Sequence, residues 1–213
     1  MANYYPIYLN LDHKTCVIIG GGKIAEGKIK SLMENNCSVT IISPNATEQI
    51  RAWSKEDKIT WHKRLYRKGD LKGCFLAIAA TDITEVNTAV SMEAEREGVL
   101  VNVVDHPSLC TYISPSVVKR GSVTIAISTG GTSPALARKL RELLDDSELL
   151  DYAELAPLLS KVRTEIKTKG FSIPPNKWQE CINKGLIDMV RKGQEKKASD
   201  SLIAQLMSKR GPK

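Results

Sequence analysis

The chain lacks any apolar run approaching the ~18 residues of a membrane span. It also lacks a Cys-x-x-Cys pair. Its five cysteines, at 16, 37, 74, 110 and 181, stand singly and are odd in number. That excludes a disulfide framework and the paired spacing of a zinc site, and the cysteines read as reduced packing thiols. His13, His62 and His106 are far apart in sequence and have no cysteine pair beside them, so no metal site is expected. The opening residues, Met1-Ala2-Asn3-Tyr4-Tyr5-Pro6, hold no basic stretch followed by an apolar one. No secretory signal is expected, and the chain reads as cytoplasmic. No internal repeat is present.

Acidic residues are in deficit: 24 against 31 Lys and Arg, a formal charge of +7. Seven of the cations lie at 191, 192, 196, 197, 209, 210 and 213, with only Glu195 and Asp200 among them. No aromatic residue interleaves with this basic stretch and no nucleic-acid motif accompanies it. A solvated basic face is expected rather than a nucleic-acid partner.

What the sequence does have is Cys16-Val17-Ile18-Ile19-Gly20-Gly21-Gly22-Lys23-Ile24-Ala25-Glu26-Gly27-Lys28. An apolar run stops at three glycines, and a segment of helical spacing begins. Gly20-x-Gly22-x-x-Ala25 fits the dinucleotide fingerprint. Gly20 permits the sharp turn, Gly22 lets backbone approach a pyrophosphate, and Ala25 lets the helix pack close to the strand. The amides of the first turn, at Lys23 and Ile24, would face the phosphates. Gly22-x-x-x-x-Gly27-Lys28 imitates a nucleoside-triphosphate loop, but that motif needs Ser or Thr next and the chain has Ile29.

A second strand ends at Ser43-Pro44-Asn45, where the fingerprint usually places an Asp or Glu for the ribose hydroxyls. No carboxylate is present. Ser43 or Asn45 would bond the ribose instead, and no Arg directly follows for a 2′-phosphate, so NAD is expected over NADP. For Asn45 an N-cap role before a helix from Ala46 stays open.

Strands are predicted over 15–19, 39–42, 59–63, 75–80 and 100–104, with helices over 23–34, 46–53 and 83–97. Short alternation of this kind implies right-handed crossovers and a Rossmann-like, doubly wound parallel α/β sheet. Ligands then sit beyond the carboxyl ends of the strands. Those ends carry Gly20–Gly22, Ser43-Pro44, Thr81-Asp82 and Asp105-His106. After residue 112 two strands joined at Arg120-Gly121 lead through Ser128-Thr129-Gly130-Gly131 into a helix, with Ser133 as N-cap and Pro134 at its first position. From Ser147 onward the pattern is helical. The expected parts are an NAD-binding domain over 1–112, a hairpin and helix over 113–146 that dimerise, and a helical domain over 147–213. A hairpin and one helix are too small to fold alone, which is why a partner chain is expected there.

Five motifs together resemble the siroheme-synthase N-terminal family: precorrin-2 dehydrogenases, some of which are also sirohydrochlorin ferrochelatases. They are Tyr5-Pro6-Ile7-Tyr8-Leu9-Asn10-Leu11, Gly20-Gly21-Gly22-x-x-Ala25, Ala79-Ala80-Thr81-Asp82, Asn102-Val103-Val104-Asp105, and Arg120-Gly121 before Ala126-Ile127-Ser128-Thr129-Gly130-Gly131-x-Ser133-Pro134. The resemblance is strong over about 4–145, and it implies NAD-dependent oxidation of precorrin-2 to sirohydrochlorin in siroheme or cobalamin biosynthesis. It implies Asp105 as acid/base, the alternative being a cap of the turn before Pro107, and it places Ser128, Thr129 and Gly130 in the loop that binds the tetrapyrrole or is modified, the alternative being that the hydroxyls only close the turn before the helix. Thr81 and Asp82, at a strand end, lie beside the expected cofactor, and the partner expected at 113–146 is a second copy, a homodimer. The chain stops soon after its helical region, so a stand-alone form without a fused methyltransferase is expected. A basic protein suits a substrate with eight carboxylates. A bifunctional dehydrogenase and chelatase remains the alternative among enzymes. An NAD-sensing module or a vestigial dimerisation module is the alternative of another class, and the carboxylate of Asp105 at a strand end favours the enzyme.

Overall fold

The computed structural model describes residues 4–208. It resolves into two compact units, one ending at Ser114 and one starting at Pro115.

The first unit is a five-stranded parallel sheet. Its strands are β1 (Thr15–Ile19), β2 (Ser38–Ile42), β3 (Thr60–His62), β4 (Leu76–Ala79) and β5 (Leu100–Val103), in the order β3-β2-β1-β4-β5. The helices are α1 (Lys23–Met33), α2 (Glu48–Lys55) and α3 (Thr84–Glu97). The chain winds outward from β1 to β3, then returns to β4 on the other side of β1. That reversal leaves a crevice past the ends of β1 and β4, the place where such sheets bind ligands.

Alternation along the strands builds a core on each face. Cys16 and Ile18 of β1 face Ala25, Ile29 and Leu32 of α1 and Ile50 of α2. Val17 and Ile19 face the other way, with Val90 and Ala94 of α3. Ala25 is fully buried, as close helix–strand packing requires. Burial pushes the Cys16 thiol up to about 12, in keeping with an inert packing role. α3 ends at Gly98, left-handed at φ 66°, the cap that its sequence indicates.

The second unit opens with an antiparallel hairpin, β6 (Ser116–Arg120) and β7 (Val123–Ile127), followed by α4 (Pro134–Asp145). The Ser133 hydroxyl caps α4 by accepting from the Leu136 amide at 3.2 Å. A 3-10 segment (Glu148–Leu155) precedes α5 (Ala156–Thr168), α6 (Pro175–Cys181), α7 (Lys184–Arg191) and α8 (Glu195–Met207). These pack around Leu155, Val162, Leu186 and Leu202. Among the described residues no helix is long and apolar enough to cross a membrane.

Two sequence expectations shift in detail. The helix expected at 46–53 starts later, because the Thr47 side chain caps it by accepting from the Ile50 amide; Asn45 is therefore not its N-cap. Arg191 of the basic C-terminal stretch is held by Asp151 at 2.8 Å and Glu154 at 2.7 Å, so it is not a free cation. Lys209, Arg210 and Lys213 lie outside the described residues.

Candidate active site

A cleft of about 690 Å³ opens at the reversal point of the first unit. Gly20, Gly22, Lys23, Ile24, Ser43, Pro44, Asn45, Thr81 and Asp82 all line it. Three strand ends, far apart in sequence, thus meet in one place.

The three glycines have separate jobs. Gly20 sits at φ 121°, and a β-carbon there would lie 2.2 Å from the Ala80 carbonyl oxygen. A β-carbon on Gly21 would lie 2.1 Å from the carbonyl oxygen of Asn45. These two let the β1 turn nest against the turns after β4 and β2. Gly22 has ordinary extended backbone, φ −82° and ψ −172°, and nothing lies within 4 Å of where its β-carbon would be. The room beside it is open to a ligand. Gly22 also starts α1, and having no side chain it leaves the first amides uncapped from within the helix start. The first amides of α1, with the positive end of the helix dipole, are left to an anion in the cleft. Lys23 and Glu26 pair at 3.1 Å, and Glu26 also accepts from the Thr47 hydroxyl at 2.6 Å. Those two bonds, the Thr47 one first, hold the Glu26 carboxyl below the usual carboxylate range.

At the β2 end the Ser43 hydroxyl donates to the Asn45 carbonyl at 2.6 Å, so its proton is already used in shaping the turn. Trp61 steadies the same turn by donating its indole N–H to the Ser43 carbonyl at 2.9 Å. Asn45 is exposed at the cleft rim. Thr81 donates to the side-chain oxygen of buried Asn87 at 2.8 Å, and Asn87 donates back to the Thr81 carbonyl at 2.9 Å. That leaves Asp82 exposed at the rim. Gly21, Leu65, Tyr66, Ile83 and Val86 also line the cleft. Sequence reading has Gly21 only as part of the glycine turn and does not select the other four, because such a side chain carries no signal of the pocket it faces.

Asp105 does not line this cleft. It follows β5 on the same rim of the sheet, one residue past the bond from the Val104 amide to the Ala79 carbonyl. The His106 amide donates to the Val103 carbonyl at 3.2 Å, closing a turn in which Asp105 sits at φ 60°. Glycine favours that left-handed conformation, and aspartate adopts it at a cost. The Cys110 thiol pins the turn: it accepts from the Val103 amide at 3.1 Å and lies 3.3 Å from the carbonyls of Val103 and His106. Cys110 was expected as mere packing and instead shapes the segment that carries Asp105. Lys28, half-buried on α1, has its ammonium pKa lowered by burial.

Ser128, Thr129 and Gly130 belong to the second unit. Their hydroxyls work locally: Ser128 accepts from the Gly130 amide at 3.0 Å, and Thr129 accepts from the Ser133 amide at 3.0 Å. Gly130 is left-handed at φ 63°. The described residues contain no group of three or more His, Cys, Asp or Glu placed to hold a metal ion.

An NAD(P)-binding family model matches residues 7–116, more than half of the chain and the whole sheet with its cleft. The chain belongs to that family. A second model, for the central part of sirohaem biosynthesis proteins, matches residues 120–147 of this NAD(P)-binding family member. Siroheme synthase of Nitrosococcus oceani is 36% identical over 95% of the chain and 44% of its own length. Siroheme synthase of Methylobacillus flagellatus is 36% identical over 97% of the chain and 44% of its own length. The chain therefore spans less than half the length of these relatives. Among solved structures, SirC, a precorrin-2 dehydrogenase, shares the fold with a TM-score of 0.72 at 23% identity, covering 93% of this chain and 98% of its own.

Proposed function

We propose that the protein is an NAD-dependent precorrin-2 dehydrogenase, oxidising precorrin-2 to sirohydrochlorin. One observation carries the reading: an uncapped helix start and an unobstructed Gly22 open onto the cleft, on the rim that also bears a left-handed aspartate. The first describes a seat for a pyrophosphate. The second sets a carboxylate on that rim in a backbone conformation that costs a non-glycine residue. The sirohaem relatives and the fold of a precorrin-2 dehydrogenase support the choice of substrate.

The residues fit the dinucleotide. The α1 amides at Lys23 and Ile24 take the phosphates, Asn45 the ribose at the β2 end, and Asp82 the ribose on the β4 side. When bound, NAD supplies the hydride acceptor. Precorrin-2 loses one hydride and one proton in this oxidation, and the Asp105 carboxylate accepts or relays the proton.

The protein acts as a homodimer through the 113–146 region. Leu136, Leu140 and Leu143 line one stripe of α4 and are 50%, 39% and 55% exposed, an apolar face that a second copy would cover. Sedimentation at micromolar concentration should show a dimer, and a monomer there would contradict it.

The deciding assay mixes the purified protein with precorrin-2 and NAD. Reduced cofactor and sirohydrochlorin should appear together, and the reading fails if neither forms.

A further inference from the structure

Glu93 is the only buried acidic residue among the described residues, at 1% exposure in the middle of α3. Burying an ionised carboxylate is unfavourable unless donors surround it. Among the described residues its donors all come from one loop. The Gly69 amide reaches its two oxygens at 3.0 and 3.1 Å, the Leu71 amide donates at 2.8 Å, and the Tyr66 hydroxyl donates as well. Burial, then the bond to Glu93, pushes the Tyr66 phenol up.

The loop is also tied to itself. The Arg64 guanidinium grips Asp70 with two bonds of 2.8 Å, and Asp70 accepts from the Arg67 amide at 2.7 Å. Leu71 at its end is fully buried. Yet Leu65, 63% exposed, and Tyr66 line the cofactor cleft. The loop follows β3, the neighbour of β2, so this wall stands on the β2 side of the cleft, beside Ser43 and Asn45, the latter proposed above for the ribose. An apolar residue would suit the position of Glu93 in the helix without the cost of burying charge. What the carboxylate secures is the placement of a cleft wall that is otherwise a surface loop.

We propose that Glu93 is a positioning residue for the dinucleotide: it holds the 64–71 loop so that Leu65 and Tyr66 wall the ribose and base end of the cleft. It therefore governs affinity for NAD and takes no part in hydride transfer. The inference rests on the NAD-dependent reading above.

The test uses the full chain, with NAD titrated by calorimetry and precorrin-2 turnover measured at saturation. Glu93→Gln keeps the shape but turns an NH2 towards an amide. It should raise Kd and KM for NAD on the order of tenfold, as loss of an outer support does, with kcat nearly unchanged. Amide exchange at Gly69 and Leu71 should accelerate while Val90 and Ala94 stay protected. Tyr66→Phe removes one bond and should weaken NAD less. Leu65→Ala should weaken NAD, and adding Glu93→Gln should worsen it little, since both act through one wall. Unchanged NAD affinity in Glu93→Gln overturns the proposal, as do fully multiplicative effects with Leu65→Ala. If Glu93→Gln does not fold, unchanged affinity in Tyr66→Phe overturns it. A wild-type protein that binds no NAD defeats the cofactor reading, whereas wild-type binding matched by the variants defeats only the role of Glu93.

Discussion

The carbonyl oxygen of Ala80 lies 2.2 Å from the point that a β-carbon on Gly20 would occupy. The turn after β1 and the turn after β4 are therefore pressed together, and only glycine permits it. The two strand ends that share the cofactor cleft stay paired here, the Ala80 amide donating to the Ile19 carbonyl at 2.8 Å.

It follows that Gly20→Ala and Gly22→Ala should differ in kind. Gly20→Ala meets backbone at φ 121° and should destabilise the first unit severely, seen as a large fall in Tm or as insoluble protein. Gly22→Ala meets nothing in the protein, so its Tm should stay within a few degrees. Its methyl would occupy the open space beside the pyrophosphate, and NAD binding should drop at least about tenfold. Equal loss of stability in both variants would contradict this division.

Asp105 should trade stability against activity. Asp105→Ala should fold, dimerise and bind NAD, yet lose at least about a hundredfold in dehydrogenase rate. Asp105→Gly relieves a left-handed backbone at φ 60° and should hold or raise Tm while losing activity equally. Asp82→Ala should mainly weaken NAD. Near-normal turnover in Asp105→Ala would mean that solvent or substrate takes the proton and the enzyme works by positioning alone.

Cofactor choice should turn on Asn45. With no carboxylate at the β2 end, the wild type should prefer NAD to NADP by a moderate factor. Asn45→Asp places a charge at the cleft rim that bonds a 2′-hydroxyl and repels a 2′-phosphate, so the ratio of KM values should widen. A lower KM for NADP in the wild type would refute the assignment.

Acid should loosen the 64–71 loop. The bonds from Arg64, then the Arg67 amide, hold the Asp70 carboxyl below its ordinary value near 3.8. A depressed folded pKa contributes stability that is complete above the unfolded value and is lost as pH falls through the folded one. Amide exchange at Arg67 and Gly69 should therefore rise below about pH 4, and Asp70→Asn should remove that step. An unchanged acid profile in Asp70→Asn would show that Asp70 does not close the loop.

Local chemistry was enough to read much of this chain from its sequence. The β1–α1 turn, the alternating strands and helices, the Gly98 cap and the Ser133-Pro134 helix start depend on neighbouring residues and on periodicity. The doubly wound topology follows from them, and with it the gathering of Gly20, Ser43 and Thr81 at one rim. Tertiary structure alone decided which glycine gives room and which gives closeness, because only the Ala80 and Asn45 carbonyls distinguish Gly20 and Gly21 from Gly22. It alone joined Glu93 to a loop more than twenty residues earlier, and closed the Cys110 thiol over the turn that bends Asp105. Those bonds connect residues that share no periodicity, and burial is what makes each of them matter.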